Sequence, residues 1–126
     1  DSLTLIKKIK KYKIKVAVAS SSKNCRFILQ KKKLLKNFNF IIDGTDLERS
    51  KISGKPHPGI FLIAIKKLLL NKNKTLIFED SSSGVISAKR SGTKYVIGVA
   101  RKNNDDELKK SGATIVLNKL SQIKIL

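Results

Sequence analysis

The chain has 126 residues and a mass of 14.0 kDa, a size that predicts one small domain. Its one cysteine, Cys25, excludes an internal disulfide, and its longest apolar run, at residues 60–65, is far shorter than the roughly 20 residues that a membrane span needs. With no secretory signal pattern, we expect a cytoplasmic protein. Because the chain begins at Asp1 inside a helical pattern and contains no Met, we do not expect a natural translation start there.

The formal charge is +19, from 28 Lys and Arg residues against 9 Asp and Glu residues. Such an excess can mark a protein that binds nucleic acid or an anionic membrane. Only four of the cations are Arg, however, whereas contacts to phosphate and base edges favour the bidentate guanidinium. The densest lysine runs fall in predicted helices, so we interpret them as solvated helix faces and predict neither a nucleic-acid nor a membrane partner.

Helical and strand patterns alternate along the chain. An amphipathic pattern over residues 3–14 is followed by KVAVAS, a short β-branched run that predicts a buried strand ending near Ser20. Strands that alternate with helices of this length predict an α/β fold, with a three-layer, Rossmann-like parallel sheet in a single domain. After Ser20 we predict helices at 24–35, 58–70, 82–91 and 104–112, strands at 40–43, 75–79, 95–99 and 114–117, and a polar loop at 44–58.

Polar residues lie at the carboxyl ends of three predicted strands, the edge at which open α/β sheets bind ligands. They are Ser20, Asp43 and the pair Glu79 and Asp80. Two adjacent carboxylates repel each other, which is tolerable if they share Mg²⁺ or face a basic group. The alternative for Asp80 is a helix N-cap in front of the segment SSSGV.

Two further segments carry candidate groups. Ser20–Ser22 lie where a strand gives way to a helix, so their hydroxyls and backbone N–H groups predict either an anion site or an ordinary serine cap. Lys55 stands in GKPHPGIF, where two prolines fix the chain just before a helix. We assign His57 to an exposed turn and Cys25 to a small buried side chain.

A hydroxyl, a lysine and a carboxylate pair at one sheet edge suit phosphoryl transfer. In KVAVASSSKN, GKPHPGIF and LIFEDSSSGVISAKRSG the sequence resembles the second, third and fourth motifs of the haloacid dehalogenase superfamily, most closely its β-phosphoglucomutase-like branch. The resemblance implies that Ser20 hydrogen-bonds the phosphoryl oxygens, that Lys55 neutralises them, and that Glu79 and Asp80 bind Mg²⁺. It implies a sugar-phosphate substrate, for which the candidate binding residues are Ser21, Ser22, Lys23 and Asn24.

One motif of this family has no counterpart here. Its enzymes attack phosphate with an aspartate in an Asp-x-Asp motif at the end of a first strand, which the resemblance puts between the strands ending at Ser20 and Glu79. Without it, both strands have an unpaired edge. We therefore expect the C-terminal part of a core domain, lacking the first strand and the helical cap domain and inactive without a missing N-terminal segment. Gly59 replaces a usual acid, which predicts a poorer helix cap.

Three hypotheses follow from these patterns. The first is the C-terminal half of a Mg²⁺-dependent sugar-phosphate mutase or phosphatase, two activities that share all three motifs. The second is a non-catalytic protein whose lysines bind nucleic acid or another polyanion, which predicts binding that weakens steeply with salt. The third is a remnant that folds only with a partner supplying the absent strand, which predicts weak, uncooperative unfolding of the isolated chain.

Overall fold

Helices alternate with parallel strands along the chain, as the sequence patterns predict. The structure is a computed structural model and describes residues 2–126. Three short 3₁₀ turns, at 35–37, 72–74 and 120–122, complete the series within those residues. The elements are α1 (Ser2–Lys11), β1 (Ala17–Ala19), α2 (Cys25–Lys31), β2 (Phe40–Ile42), α3 (Gly44–Arg49), α4 (Gly59–Lys67), β3 (Leu76–Glu79), α5 (Ser82–Arg90), β4 (Tyr95–Val99), α6 (Asp105–Lys110) and β5 (Ile115–Leu117).

The strands form two parallel sheets. β1 pairs with β2, with Val18 opposite Ile41, and β4 lies between β3 and β5, with Phe78 opposite Ile97. Between residues 2 and 126 no ladder joins β1 to β3, so each of these strands has one edge without a strand partner. The sheet is interrupted at the place where the sequence led us to expect two unpaired edges. All three residues of β1 are only half-buried, so the prediction of a buried strand was wrong there.

Three helices, α4, α5 and α6, form a layer that packs on the sheets. α4 contacts β1 and β2, α5 contacts β3 and β4, and α6 contacts β4 and β5, while α5 also touches both α4 and α6. Burial of the apolar faces between these elements is the main stabilising term, at roughly 1.5–3 kcal/mol for each large side chain removed from water. No helix of the described residues has both the length and the apolar character needed to cross a membrane. The fully buried apolar side chains are Ile60, Val85, Ala88, Val96 and Leu108.

The predicted polar loop at 44–58 contains a helix, α3, and that prediction was wrong for its first six residues. The Asp43 carboxylate accepts hydrogen bonds from the backbone N–H groups of Thr45 (3.0 Å) and Asp46 (3.2 Å), and Asp46 accepts one from the Asp43 N–H (2.9 Å). This reciprocal capping box starts a helix that has little hydrophobic periodicity. Arg26 contacts both carboxylates, so the buried Asp43 has a structural role at its strand end.

Three predicted helices end three or four residues earlier than their periodicity suggested, and the first of them ends at Lys11 instead of residue 14, with Lys13 in a left-handed backbone (φ 57°). The helix predicted to reach residue 35 ends at Lys31, and the helix predicted to reach residue 70 ends at Lys67. Soon after each end one residue has a left-handed backbone, Lys33 with φ 55° and Leu69 with φ 53°. Such a conformation turns the chain out of the helix, and it is compatible with any side chain at some energetic cost.

Candidate active site

The carboxyl ends of β1, β3 and β4 surround a cavity of about 680 Å³. Ser20 and Ser21, which follow β1, lie on one side, and Glu79 and Asp80, at the end of β3, lie on the other. Lys55 reaches the same cavity from the segment before α4. The structure thus brings together residues from all three segments that the sequence singled out. Further lining residues include Ser2, Phe78, Ser81, Ser83, Val99 and Arg101.

Lys55 bridges the interruption between the two sheets. Its Nζ donates to Oε1 of Glu79 on β3 and to the backbone oxygen of Ala19 on β1, the latter at 3.3 Å. The ammonium also lies 5.1 Å from the centre of the Phe61 ring, within the range of a cation–π contact. Only 14% of the Lys55 side chain and 7% of the Glu79 side chain are exposed. A buried ion pair therefore connects two strand ends that share no backbone hydrogen bonds.

The Glu79 carboxylate rests against the first turn of α5. A Cβ added at Gly84 would lie 1.9 Å from Oε2 of Glu79, so only glycine leaves room for the carboxylate. The N-cap of α5 is Ser81, whose Oγ accepts a hydrogen bond from the Gly84 N–H at 3.1 Å. The capping alternative for Asp80 was therefore wrong, because the next residue has that role.

Asp80 forms an ion pair with a different cationic side chain, that of Arg101. Its Oδ2 lies 3.1 Å from Nε of Arg101, and both side chains are more than half exposed. Its backbone oxygen accepts a hydrogen bond from Nδ2 of Asn104 at 3.1 Å. The sequence reasoning missed Arg101, although it comes two residues after the end of β4, at the sheet edge where ligand-binding residues are expected.

The serine hydroxyls make local hydrogen bonds. The Ser20 Oγ accepts from the Ser22 N–H, and the Ser22 Oγ accepts from the Asn24 N–H, each at 3.2 Å. These bonds shape the turn between β1 and α2, while Ser20 and Ser21 still line the cavity. Ser22, Lys23 and Asn24 do not line it. Lys23 instead pairs with Glu48 at 2.7 Å on the surface, and this contact lowers the pKa of Glu48.

The remaining predicted positions are structural. His57 is exposed in a turn, as predicted, and its Nδ1 accepts a hydrogen bond from the Gly59 N–H at 3.0 Å. The N-cap of α4 is Pro58, which makes no side-chain capping bond, so Gly59 is the first helical residue and not the cap as predicted. Cys25 is buried, as predicted, and burial raises the pKa of its thiol, although Ser20 partly opposes this.

The donor set at the cavity suits a hard cation. Within residues 2–126 no cluster of three or more His, Cys, Asp or Glu side chains is arranged around a common metal position. Mg²⁺ is often held by only one or two carboxylates, with water and substrate phosphate completing its shell. Glu79 and Asp80 provide two such carboxylates, and each is already in contact with a positively charged side chain, Lys55 or Arg101. These residues fit Mg²⁺ as part of its ligand set.

The fold and the cavity define an α/β protein with its ligand site at the carboxyl edge of parallel strands. The haloacid dehalogenase-like hydrolase family matches residues 1–98, and the chain belongs to that family. It is 31% identical over 117 residues to a phosphorylated carbohydrates phosphatase of Thermotoga maritima, covering 91% of this chain and 52% of the relative. It is 33% identical over 97 residues to a β-phosphoglucomutase of Bacillus subtilis, covering 77% of this chain and 41% of the relative.

Solved structures agree with this assignment. A β-phosphoglucomutase from Clostridium difficile superposes with a TM-score of 0.81 at 30% identity, covering 97% of this chain and 50% of the other. A haloacid dehalogenase-family hydrolase from Entamoeba histolytica gives a TM-score of 0.80 at 31% identity, covering 98% and 55%. The predicted family and α/β fold class are confirmed. The chain spans about half the length of the relatives it matches.

Proposed function

We propose that the chain is the C-terminal half of the core of a Mg²⁺-dependent phosphatase or phosphoglucomutase-like enzyme of the cytoplasm, acting on a sugar phosphate. The observation that carries this proposal is the convergence of Ser20, Lys55, Glu79 and Asp80 on one cavity from three separate segments. Packing of the fold alone does not require a hydroxyl, a buried ammonium and two carboxylates to meet at the ligand-binding edge of the sheet.

Each of these groups has a role that suits its surroundings. The Ser20 hydroxyl and the Ser21 N–H would donate hydrogen bonds to phosphoryl oxygens, and Lys55 would balance their negative charge. Glu79 and Asp80 would hold Mg²⁺, which when bound supplies further charge stabilisation. Ser21 would contact the substrate from the cavity wall. Lys23 would reach it only after leaving Glu48, with which it pairs on the surface.

The interruption between β1 and β3 supports a further part of the proposal. Both edges there lack a strand partner in the described residues, and the groups that suit phosphoryl transfer lie at the ends of those two strands. An extended segment between them would satisfy both edges and bring a carboxylate nucleophile next to Lys55. We infer that such a segment comes from an N-terminal part of the same protein or from a partner, and that residues 1–126 alone are inactive.

A fusion experiment tests this function. The part of the Thermotoga maritima phosphatase not covered by this chain would be joined in front of Asp1, and phosphate release from hexose phosphates would be measured with Mg²⁺ and with EDTA. We expect Mg²⁺-dependent turnover in the fusion and none in the chain alone. Lys55→Ala should abolish it, whereas Lys66→Ala, on the exposed face of α4, should not. A fusion that unfolds cooperatively yet shows no turnover would contradict the proposal.

The charge distribution favours a second candidate function. Residues 2–42 contain twelve Lys and Arg residues and no Asp or Glu, and most of these cations are exposed. Lys10 contacts the backbone oxygen of Lys36, so the lysines of α1 and those after α2 lie near one another. A polyanion could bind here whether or not the cavity is catalytic. Retention on heparin or RNA that falls steeply with salt would support this function, and no retention at low salt would exclude it.

A further inference from the structure

Glu79 and Asp80 are adjacent in sequence but are held by different cations in different surroundings. The pair of Lys55 and Glu79 is buried, with 14% and 7% of the two side chains exposed. The pair of Arg101 and Asp80 is 66% and 53% exposed. Ion pairs in such exposed positions contribute little to stability, because water solvates both partners well. The contact of Asp80 with Arg101 is therefore the one that a competing cation can open.

The segment that follows β4 holds Arg101 at this position. Lys102 and Asn103 both have left-handed backbones, with φ of 55° and 60°, and they fold the chain back towards β3. The side chain of Asn104 closes the turn: its Oδ1 accepts from the Arg101 N–H at 2.8 Å, and its Nδ2 donates to the Asp80 backbone oxygen at 3.1 Å. The turn is thus docked directly on the residue that Arg101 pairs with.

Arg101 is also the one arginine among the described residues that lines the cavity. Its contact with Asp80 uses Nε at 3.1 Å. A guanidinium presents five donors in a planar fork, a geometry that matches phosphate as well as carboxylate. Arg101 therefore has two possible anionic partners at one place: the Asp80 carboxylate and a phosphate in the cavity.

We propose that Arg101 and a divalent cation compete for Asp80, and that the displaced guanidinium binds the phosphate group of the substrate. This inference rests on the proposed function, since it concerns the same cavity. Phosphate draws Arg101 away from Asp80 and so favours metal binding, while the metal frees Arg101 and so favours phosphate binding. Such coupling is reciprocal, and Arg101 links the two ligands.

The test measures Mn²⁺ affinity of the full chain by electron paramagnetic resonance, with and without inorganic phosphate. In the unchanged chain we expect phosphate to tighten Mn²⁺ binding. Arg101→Gln should tighten Mn²⁺ binding about two- to fivefold in the absence of phosphate. The variant lacks the guanidinium that competes with the metal for Asp80, and an exposed ion pair of this kind contributes only a modest free energy. In the same variant, phosphate should tighten Mn²⁺ binding at least about twofold less than in the unchanged chain, since the guanidinium that binds phosphate is absent.

Two variants serve as controls. Arg90→Gln removes the same charge from an exposed position at the end of α5 and should leave Mn²⁺ affinity within about twofold of the unchanged chain. Arg101→Lys keeps a cation beside Asp80 and should restore most of the competition. Thermal unfolding checks that each variant is folded.

The outcomes separate this inference from the proposed function. If Arg101→Gln leaves Mn²⁺ affinity unchanged or weakens it, Arg101 does not compete with the metal, and the inference fails while the metal site stands. If neither the unchanged chain nor the variant binds Mn²⁺ with phosphate present, the assignment of Glu79 and Asp80 as metal ligands fails, and the inference fails with it.

Discussion

Gly84 packs so closely against Glu79 that it determines where the Glu79 carboxylate can lie. A Cβ on Gly84 would come within 1.9 Å of Oε2 and 2.2 Å of the carboxyl carbon of Glu79. The first turn of α5 thus forms one wall of the carboxylate's pocket, and Lys55 forms another. The position of Glu79 depends on a residue with no side chain at all.

Gly84→Ala should therefore destabilise the protein. Alanine favours a helix by about 1 kcal/mol, but crowding in a packed site costs about 1–3 kcal/mol, and we expect the crowding to outweigh the helix preference. Urea unfolding measures the change. Gly54→Ala is the matched control, because its added Cβ would approach nothing closer than the Ser21 Oγ at 3.9 Å. A Gly84→Ala protein as stable as the unchanged chain would contradict this account.

Lys55→Met should also destabilise the protein, for an electrostatic reason. It leaves the Glu79 carboxylate buried without its cation, and loss of one partner from a buried pair costs about 3–5 kcal/mol. The double variant Lys55→Met with Glu79→Gln should be less destabilised than the sum of the single changes, since no uncompensated charge is left. Denaturant unfolding of the unchanged chain, the two single variants and the double variant gives the coupling free energy between Lys55 and Glu79. Additive effects would mean that the two residues do not interact energetically.

The contacts of Arg26 and Asp46 make stability sensitive to acid. Burial alone would raise the pKa of Asp46, but hydrogen bonds from the Asp43 N–H and from Arg26 outweigh it and hold that pKa below its usual 3.8. This contribution to stability is complete above the pKa of the unfolded chain and is lost as the pH falls through the lower, folded-state pKa.

We therefore expect part of the loss of stability below about pH 4 to come from Asp46. Urea midpoints measured between neutral and strongly acidic pH should fall less steeply for Asp46→Asn than for the unchanged chain. Glu48→Gln is the comparison: Lys23 also lowers the pKa of Glu48, but both side chains are more than half exposed, so we expect a smaller change of slope. Equal slopes for the unchanged chain and Asp46→Asn would show that this carboxylate does not contribute.

Gly44→Ala should disturb the serine turn at the cavity. The added Cβ would lie 2.3 Å from the Ser21 backbone oxygen and 3.0 Å from the Lys23 backbone nitrogen, so the turn has to move. We expect a destabilisation of about 1–3 kcal/mol and shifted amide resonances in residues 20–24. The same Gly54→Ala control applies to the spectra. Unchanged resonances in the turn would mean that it does not pack on Gly44 in solution.

The fold followed from the sequence wherever hydrophobic periodicity was strong, as in β3, α5 and β4. The sequence analysis did not predict α3, because that helix depends on a capping box at Asp43 and Asp46 more than on an apolar face. The helix ends near Lys33 and Leu69 were also misplaced, since single left-handed residues of ordinary type give no compositional signal.

The site was predicted through strand ends and through family resemblance. Serine and the carboxylates were found because they lie at strand ends that are visible in the sequence, and Lys55 was found because it directly precedes a segment with two prolines. Arg101 was passed over because the chain contains 28 basic residues, and only the folded turn distinguishes this one. The separate surroundings of Glu79 and Asp80 likewise depend on side chains that are distant in sequence, Lys55 and Arg101.

The division into two sheets has a consequence for how the molecule fluctuates. β4 has a strand on either side, whereas β1 is bonded on one edge only and is half-buried. Local opening requires fewer contacts to break in the β1 and β2 pair, so its amide protons should exchange with solvent sooner than those of residues 96–99. The chain should open first on the side that carries Ser20, and the slowest-exchanging protons should mark β4 as the most persistent part of the native state.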